Sequence, residues 1–335
     1  MKIRFAQLLL ALVFLQSSTC KAQDPIITQF FLVPETLNPS FTGYLDTWHV
    51  GVLHRRQWPN GNRRIDTNFG FINTSVSDEI GLGLTFLNHR EVFTNYNYFQ
   101  MNGAFAYKIT LDEDWSLRPS IEAGFGNKTF NFDGLLLEDQ INTNDGSISA
   151  STVDPFVLNN NQVVNFFDLS AGIVLDKEGA WFGASLKHLT RPNISFKEGR
   201  NVSLDLFLSI HGAYAFDVYD YRFIFPPKTK LLVTANYMRQ SQFNRLDVGT
   251  FLQFQTLTIG ATAATNLERK SNQSHLITSI NPSASVQFSK YFVFGYSYDV
   301  STSRIQNTQG VHELSLTWQL EFVKKCIGCP NYENN

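Results

Sequence analysis

Apolar and polar side chains alternate along this chain in short segments that are separated by turn residues. In residues 312–322, "HELSLTWQLEF", every second position from Leu314 to Phe322 is apolar, and the positions between them are polar. Because successive side chains of a strand point to opposite sides, this pattern predicts a strand with one apolar face and one polar face. Similar alternation occurs at 80–86, 202–216, 257–263 and 292–298. Helical spacing is not sustained after the N-terminal leader, so the pattern predicts an all-β protein.

About fourteen strands are predicted, and single-chain bacterial barrels carry an even number. Their predicted positions are 47–58, 64–74, 79–90, 96–109, 115–131, 163–175, 180–188, 202–216, 228–239, 245–254, 256–264, 276–288, 291–301 and 311–322. Alternate connections form a mostly short set, such as "SVSD" and "DKEGA", and a longer set that includes 132–162 and 189–201. Short periplasmic turns and long external loops are typical of outer-membrane barrels. Only 217–227 is longer than expected on the short side.

The sequence therefore predicts a transmembrane, antiparallel outer-membrane β-barrel over residues 47–322, with its apolar faces against lipid. Composition agrees, because charged residues are 17% of the chain and aromatic residues reach 14%. After the leader, no apolar run approaches the roughly 18 residues that a membrane-spanning helix needs. A soluble β-sandwich is the alternative, but the low charge and the unequal loops argue against it. Aromatic residues at strand ends are expected near the lipid headgroups, namely Trp48, Trp58, Trp115 and Tyr291.

Residues 1–22 have the layout of a secretory signal peptide. A positively charged start and an apolar run at 8–15 precede small and polar residues, and cleavage after Ala22 would leave Gln23 as the first mature residue. A lipid anchor on Cys20 is an alternative, but the neighbouring residues suit lipid attachment poorly. The leader predicts an exported protein.

Segments on both sides of the barrel are expected to be periplasmic. Residues 23–46 contain three Pro, which preclude a long helix, and several large apolar side chains that should pack in the lumen or at its periplasmic mouth. An even number of strands returns the chain to its starting side, so residues 323–335 are predicted to form a periplasmic tail. The predicted location is the bacterial outer membrane, with both termini in the periplasm.

Charged and metal-binding residue types give no sign of enzymatic chemistry. The formal net charge is −2, so nothing suggests a nucleic-acid partner. The seven His show no paired metal spacing and no adjacent nucleophile motif. We therefore expect no enzyme activity, no cofactor and no bound metal. A barrel hydrolase is a minor alternative that no residue singles out.

Two short motifs have more than one interpretation. "CIGC" places Cys326 and Cys329 in the tail, where a local disulfide or no special role is the default and contact with a periplasmic partner is the alternative. "HRRQW" places Arg55, Arg56 and Trp58 at the first external hairpin. These arginines either balance acidic residues of the lumen or form an anion site at the outer mouth, for lipopolysaccharide or a surface protein.

The connection at 133–162 is too long and too rich in Asn, Asp and Ser for a simple turn. Loops of this length are usually functional or disordered. Because its first residues, "DGLLLEDQ", include three consecutive leucines and are apolar enough to fold back, we expect the loop to enter the barrel mouth as an ordered constriction or docking loop.

Six motifs, in order, resemble those of the PorP/SprF family, outer-membrane proteins of the Bacteroidetes type IX secretion and gliding system. They are "QFFLVPETLNPSFTGY", "HRRQW", "FDGLLLEDQI", "KHLTRPNISF", "GYSYDV" and "GVHELSLTW". Val33, Ser40 and Trp318 depart from the family pattern, in which Asn, Ala and Tyr are usual. The resemblance implies a barrel and a role in exporting or retaining cell-surface proteins. It also implies two partners, the periplasmic type IX secretion components and a secreted surface protein with a C-terminal secretion domain.

We therefore predict a non-enzymatic outer-membrane barrel that helps to deliver or anchor an adhesin-like surface protein. The alternative is an outer-membrane porin or uptake channel for small solutes. Outer-membrane lipid surrounds the barrel in both interpretations. The candidate partner contacts are Phe30, Phe31, Pro34, Asn38, Pro39, Gly43, Arg55, Arg56, Trp58, Cys326 and Cys329.

Overall fold

The described part of the chain is mostly β-sheet, preceded by an irregular N-terminal segment. The computed structural model describes residues 24–60, 63–131, 136–143, 145–149, 151–153, 157, 163–197, 199–218, 228–268, 277–302 and 309–320. The predicted signal peptide and the predicted C-terminal tail lie outside these residues. Helices in the described ranges are too short and too polar to cross a membrane.

Fourteen antiparallel strands form one closed sheet. They are β1 (Trp48–Gln57), β2 (Ile65–Ser75), β3 (Ile80–Glu91), β4 (Tyr96–Tyr107, continued by Ile109–Thr110), β5 (Ser116–Phe130), β6 (Val163–Lys177), β7 (Ala180–Lys187), β8 (Phe207–Asp217), β9 (Lys230–Gln240), β10 (Phe243–Phe254), β11 (Leu257–Thr265), β12 (Ile277–Gln287), β13 (Phe292–Ser301) and β14 (Val311–Leu320). Each strand pairs with the next, and β1 pairs with β14 over its whole length. Closure leaves no free sheet edge, as a membrane-spanning sheet requires. The predicted fold class is confirmed.

The two faces of the strands differ as the sequence predicted, with one face polar and the other apolar. In β14 the polar Glu313, Ser315 and Thr317 are buried, whereas Leu314, Leu316 and Trp318 between them are exposed. Large apolar side chains are exposed on the other strands as well. An apolar outer surface around a polar interior is the arrangement of a barrel that stands in a bilayer.

The connections differ between the two ends of the barrel. At the end where β1 begins and β14 ends, hereafter the short-turn end, they are 76–79, 111–115, 178–179, 218–229, 255–256 and 288–291. At the opposite end, hereafter the long-loop end, they are 58–64, 92–95, 131–162, 188–206, 241–242, 266–276 and 302–310. The long-loop end therefore holds most of the residues that connect one strand to the next.

The strand predicted at 202–216 begins later, because β8 starts at Phe207. Alternation of apolar residues continues before this point, but Leu204 turns inward and packs in a buried cluster with Tyr98, Phe166 and Ile194. The residues before β8 thus belong to a loop that covers the barrel mouth.

The lumen is filled by the N-terminal residues Asp24–Tyr44, hereafter the lumen segment. Two single-turn 3-10 helices, Pro34–Thr36 and Pro39–Phe41, are its only helices, and each starts at a proline. Proline suits the first position of a helix because its missing N–H would have no partner there. Apolar side chains of the segment pack against the wall in two buried clusters. The hydrophobic core therefore lies between the lumen segment and the barrel.

Asp24 and Leu320, the first and last described residues, lie at opposite ends of the barrel. The lumen segment runs back through the barrel from the start of β1, so Asp24 lies at the long-loop end beside His188. β14 ends with Leu320 at the short-turn end.

Candidate functional site: the lumen segment and the vestibule

Close backbone contact fixes the lumen segment where it enters the barrel at the short-turn end. Gly43 has φ +65°, a conformation that L side chains rarely adopt. A Cβ atom on Gly81 of β3 would lie 2.2 Å from the carbonyl oxygen of Thr42. The Gly43 N–H donates to the Asn73 side chain at 3.2 Å. Only glycine at both positions permits this approach of two backbones.

Asn38 anchors the middle of the segment to two neighbouring strands. Its Nδ2 donates to the carbonyl oxygens of Ile173 in β6 (3.0 Å) and Ala184 in β7 (3.1 Å). Its Oδ1 accepts from the N–H of Ser40 at 2.9 Å, which caps the second 3-10 helix. Asn38 is fully buried. Its amide therefore has a structural role in the lumen and is not available at a surface.

Glu313 of β14 binds the part of the segment that lies towards the long-loop end. Its carboxylate accepts hydrogen bonds from the N–H of Thr28 (3.0 Å), the Thr28 hydroxyl (2.7 Å) and the N–H of Gln29 (3.1 Å). The same carboxylate forms an ion pair with Arg55 of β1. Glu313 is 1% exposed, so these contacts lie out of water. The alternating pattern of residues 312–322 places Glu313 on a polar face but does not identify it as an anchor.

A buried histidine holds the segment at the long-loop end of the barrel. His188 lies between two carboxylates, with Nδ1 2.6 Å from Asp168 and Nε2 2.7 Å from Asp24. Burial by itself would lower the pKa of His188, but the charge of Asp24 and the hydrogen bond to Asp168 outweigh it and raise this pKa to about 9. At neutral pH the imidazolium therefore donates from both nitrogens and clamps Asp24 to the wall.

The predicted aromatic contacts of the segment are buried in the lumen. Phe30 is fully buried in a cluster with Leu37, Phe207 and Met238. Phe31 stacks on Phe251, with ring centroids 4.0 Å apart. These side chains hold the segment against β8, β9 and β10.

The predicted residues of "HRRQW" separate at the long-loop end. Arg55 faces inward to Glu313, whereas Arg56 is partly exposed and donates to Asp66 at 2.9 Å. Trp58 lines the mouth of the lumen, so it is not the headgroup residue that the sequence predicted. Cys326 and Cys329 lie outside the described residues.

A cavity of about 980 Å³, hereafter the vestibule, lies beside the first residues of the segment at the long-loop end. Asp24–Ile26 form part of its lining, together with Arg55 of β1, Lys128 of β5 and Arg245 of β10. Residues of the 188–206 loop complete it. The vestibule thus lies inside the barrel wall at the long-loop end, against the plugged lumen.

The long 131–162 connection does not form the expected constriction in its described residues. Its apolar side chains Leu136, Ile141 and Ile148 are exposed, and Ile141 forms a β-bridge with Ile148. None of its described residues after Asn131 lines the vestibule. The loop at 188–206 takes that place because Ile194 and Leu204 have buried apolar partners in the mouth.

Comparison with known proteins gives one family and several barrels. A profile described as "Type IX secretion system membrane protein PorP/SprF" matches residues 19–318. No curated protein sequence matches the chain.

Among the described residues, no group of three or more His, Cys, Asp or Glu side chains is arranged to hold a metal ion.

Solved outer-membrane proteins are also matched, at low identity and with TM-scores below 0.5. Acinetobacter baumannii Omp33 is 7% identical with a TM-score of 0.45, and the match covers 82% of this chain and 99% of that one. A Pseudomonas aeruginosa FadL homologue is 10% identical with a TM-score of 0.42, covering 84% and 92%. A mutant of the TodX monoaromatic hydrocarbon channel is 8% identical with a TM-score of 0.49, covering 85% and 93%. No function is taken from these similarities.

Proposed function

Because the chain belongs to the PorP/SprF family of type IX secretion system membrane proteins, we propose that it is a plugged, non-enzymatic outer-membrane barrel that helps to deliver or anchor a cell-surface protein. The lumen segment is the observation that carries this proposal beyond the family. A diffusion porin needs a water-filled lumen. Here Asp24–Tyr44 fills the lumen and is bonded to strands on several sides of the barrel.

In the proposed orientation, the short-turn end faces the periplasm and the long-loop end faces the cell exterior. Outer-membrane barrels usually have short periplasmic turns and longer external loops, which supports this direction. Residues 323–335, with Cys326 and Cys329, would then follow β14 on the periplasmic side. We propose that this tail contacts periplasmic components of the secretion system.

At the proposed outer end, two features are available to the exported protein. One is the vestibule, which includes Trp58 and several cationic side chains. The other is the 131–162 connection, where Leu136, Ile141 and Ile148 are exposed. Exposed apolar side chains on a loop outside the bilayer favour contact with another protein.

The test compares the surface and secreted proteomes of a deletion strain, its parent and the complemented deletion strain. We expect one or a few large surface proteins to be lost while other exported proteins keep their abundance. Loss of all type IX cargo would instead make the barrel a core component of the machine. An unchanged proteome would overturn the proposal and favour a channel for small solutes.

A further inference from the structure

Lys128 places a buried cation in the vestibule without a bonded acceptor. The residue is 4% exposed, and its Nζ lies 5.1 Å from the centroid of the Tyr98 ring. Within the described ranges, no carboxylate or carbonyl accepts a hydrogen bond from it. Asp24 is close enough to interact electrostatically, but its carboxylate is bonded to His188. Lysine is rarely buried unless it is paired. An ammonium group has three N–H donors, and those of Lys128 remain available to a ligand.

Arg245 adds a second incompletely used cation to the same cavity. Its Nε donates to Asp247 at 2.7 Å, but its Nη2 is buried and has no partner among the described residues. The planar guanidinium can hold a carboxylate through two parallel hydrogen bonds. Lys197 and Arg200, on the loop that covers the mouth, also line the vestibule. Cations therefore reach this cavity from β5, β10 and the loop.

The remaining lining is mixed, since it includes the carboxylates of Asp24, Glu91 and Asp299 as well as aromatic and aliphatic side chains. Tyr96, Phe130, Phe196, Ile194 and Val202 all contribute to it. Apolar walls with a few placed polar groups suit an organic ligand better than a small hydrated ion. The cavity volume of about 980 Å³ also exceeds what a simple ion needs. The lining thus fits a flexible chain that carries both carboxylates and apolar side chains.

We propose that the vestibule binds an acidic polypeptide segment of the exported protein and holds one of its carboxylates at Lys128, with Arg245 as a second contact. This inference rests on the proposed function, which supplies such a protein at the outer end. A polypeptide is favoured over a lipid because the vestibule lies inside a wall that β1 and β14 close completely. Lipid headgroups lie outside that wall.

Binding is tested with the full-length barrel in detergent and two labelled peptides, measured by fluorescence anisotropy. One peptide alternates Glu and Phe, and the other replaces each Glu by Gln. We expect the acidic peptide to bind about tenfold more tightly, because only it carries carboxylates. Equal affinities would overturn the proposal.

Variants then locate the site. Lys128→Met is expected to lower the affinity for the acidic peptide by about tenfold. Lys128→Arg is expected to keep most of the affinity because the charge remains. The matched control is Lys177→Met, since the Lys177 Nζ lies 4.9 Å from the Trp115 ring but at the short-turn end. A similar loss of affinity in both Met variants would overturn the assignment of the binding site to Lys128. Heat-modifiable electrophoretic mobility verifies that each barrel is folded.

Competition distinguishes the possible sources of the anion. Displacement of the peptide by free glutamate at equal concentration would show that the site binds small carboxylates. That result would overturn the proposal that its ligand is a polypeptide. Lys128-dependent binding to lipopolysaccharide micelles in place of the peptide would do the same. If peptide binding fails while the deletion strain loses surface proteins, this inference fails and the proposed function stands. Peptide binding with an unchanged proteome would overturn the proposed function and the exported protein as the source of the peptide, and would leave only an anion site at Lys128.

Discussion

Glu313 joins three parts of the molecule, because β14, the lumen segment and Arg55 of β1 all meet at its carboxylate. Its partners are two backbone N–H groups, one hydroxyl and one guanidinium. Hydrogen bonds to a charged group are stronger than neutral ones, and a buried charge that loses its partner is costly. A single side chain thus couples the closure of the barrel to the position of the plug.

We predict that Glu313→Gln lowers the free energy of unfolding by about 3 kcal/mol, because Arg55 would keep a buried charge without its counter-ion. Urea unfolding of the barrel in lipid vesicles measures the effect. The control is Glu268→Gln, since Glu268 is half exposed and pairs with the exposed Arg239 at 3.1 Å. The control should change stability by less than about 1 kcal/mol. Equal effects of the two substitutions would argue against a special role for Glu313.

The glycine contact at the short-turn end makes a second prediction at this scale. Gly81→Ala would place Cβ 2.2 Å from a backbone oxygen, which cannot rotate away. Such overpacking costs about 1–3 kcal/mol, and we expect a lower unfolding temperature.

Gly103→Ala of β4 is the matched control, because the nearest atom to its Cβ would be 3.9 Å away. Thermal unfolding followed by circular dichroism compares the two variants in the same detergent. If Gly81→Ala were as stable as Gly103→Ala, the result would contradict the close contact between the backbones of the lumen segment and β3.

At the scale of elements, the lumen segment behaves as a separate insert inside a complete sheet. The strands hydrogen-bond to each other around the whole barrel and do not need the segment to close. The segment in turn satisfies polar groups of the wall, for example through Asn38 and Glu35. Wall and plug therefore contribute different properties, namely membrane insertion and a closed pore.

We predict that deleting residues 25–42 converts a nearly silent barrel into an ion-conducting pore, because the polar lumen then fills with water. Single-channel recording in planar bilayers measures the change. Deleting 136–153, a loop whose described residues are mostly exposed, should leave the pore closed. Open channels in the wild-type protein, or none after removal of the segment, would contradict a plug function for Asp24–Tyr44.

At the scale of the whole molecule, the outer surface determines the medium in which the fold is stable. Leu314, Leu316 and Trp318 are exposed on β14, and comparable side chains surround the barrel. In water such a surface would promote aggregation, whereas in a bilayer it meets hydrocarbon. The molecule is thus inverted relative to a soluble domain, with its polar groups inside.

We predict that Leu316→Lys, in the middle of β14, destabilises the barrel in lipid vesicles by about 2–4 kcal/mol. The same change at Leu320, the last residue of β14, should cost about 0–1 kcal/mol because it lies near the interface. Urea unfolding in vesicles compares the two variants. Equal and small effects would mean that the face of Leu316 does not meet the hydrocarbon core.

The sequence alone predicted those features that depend on local chain geometry. Alternation with a period of two assigned strands and faces, and the number of strands together with unequal loops indicated a closed barrel. It also predicted that residues 23–46 would need to pack, because their apolar side chains are costly in water. These conclusions needed no knowledge of which residues meet across the lumen.

Only the tertiary structure decided which polar groups meet inside the barrel. Glu313, His188 and Lys128 occupy lumen-facing positions that look alike in sequence, yet one anchors the segment, one clamps Asp24 and one remains unpaired. The late start of β8 and the exposure of Leu136, Ile141 and Ile148 were likewise not predicted from the sequence. Polar side chains on an inner face have the same local pattern whether their partner is water, a ligand or a distant segment. Their function is therefore set by contacts between residues far apart in the chain, which periodicity does not encode.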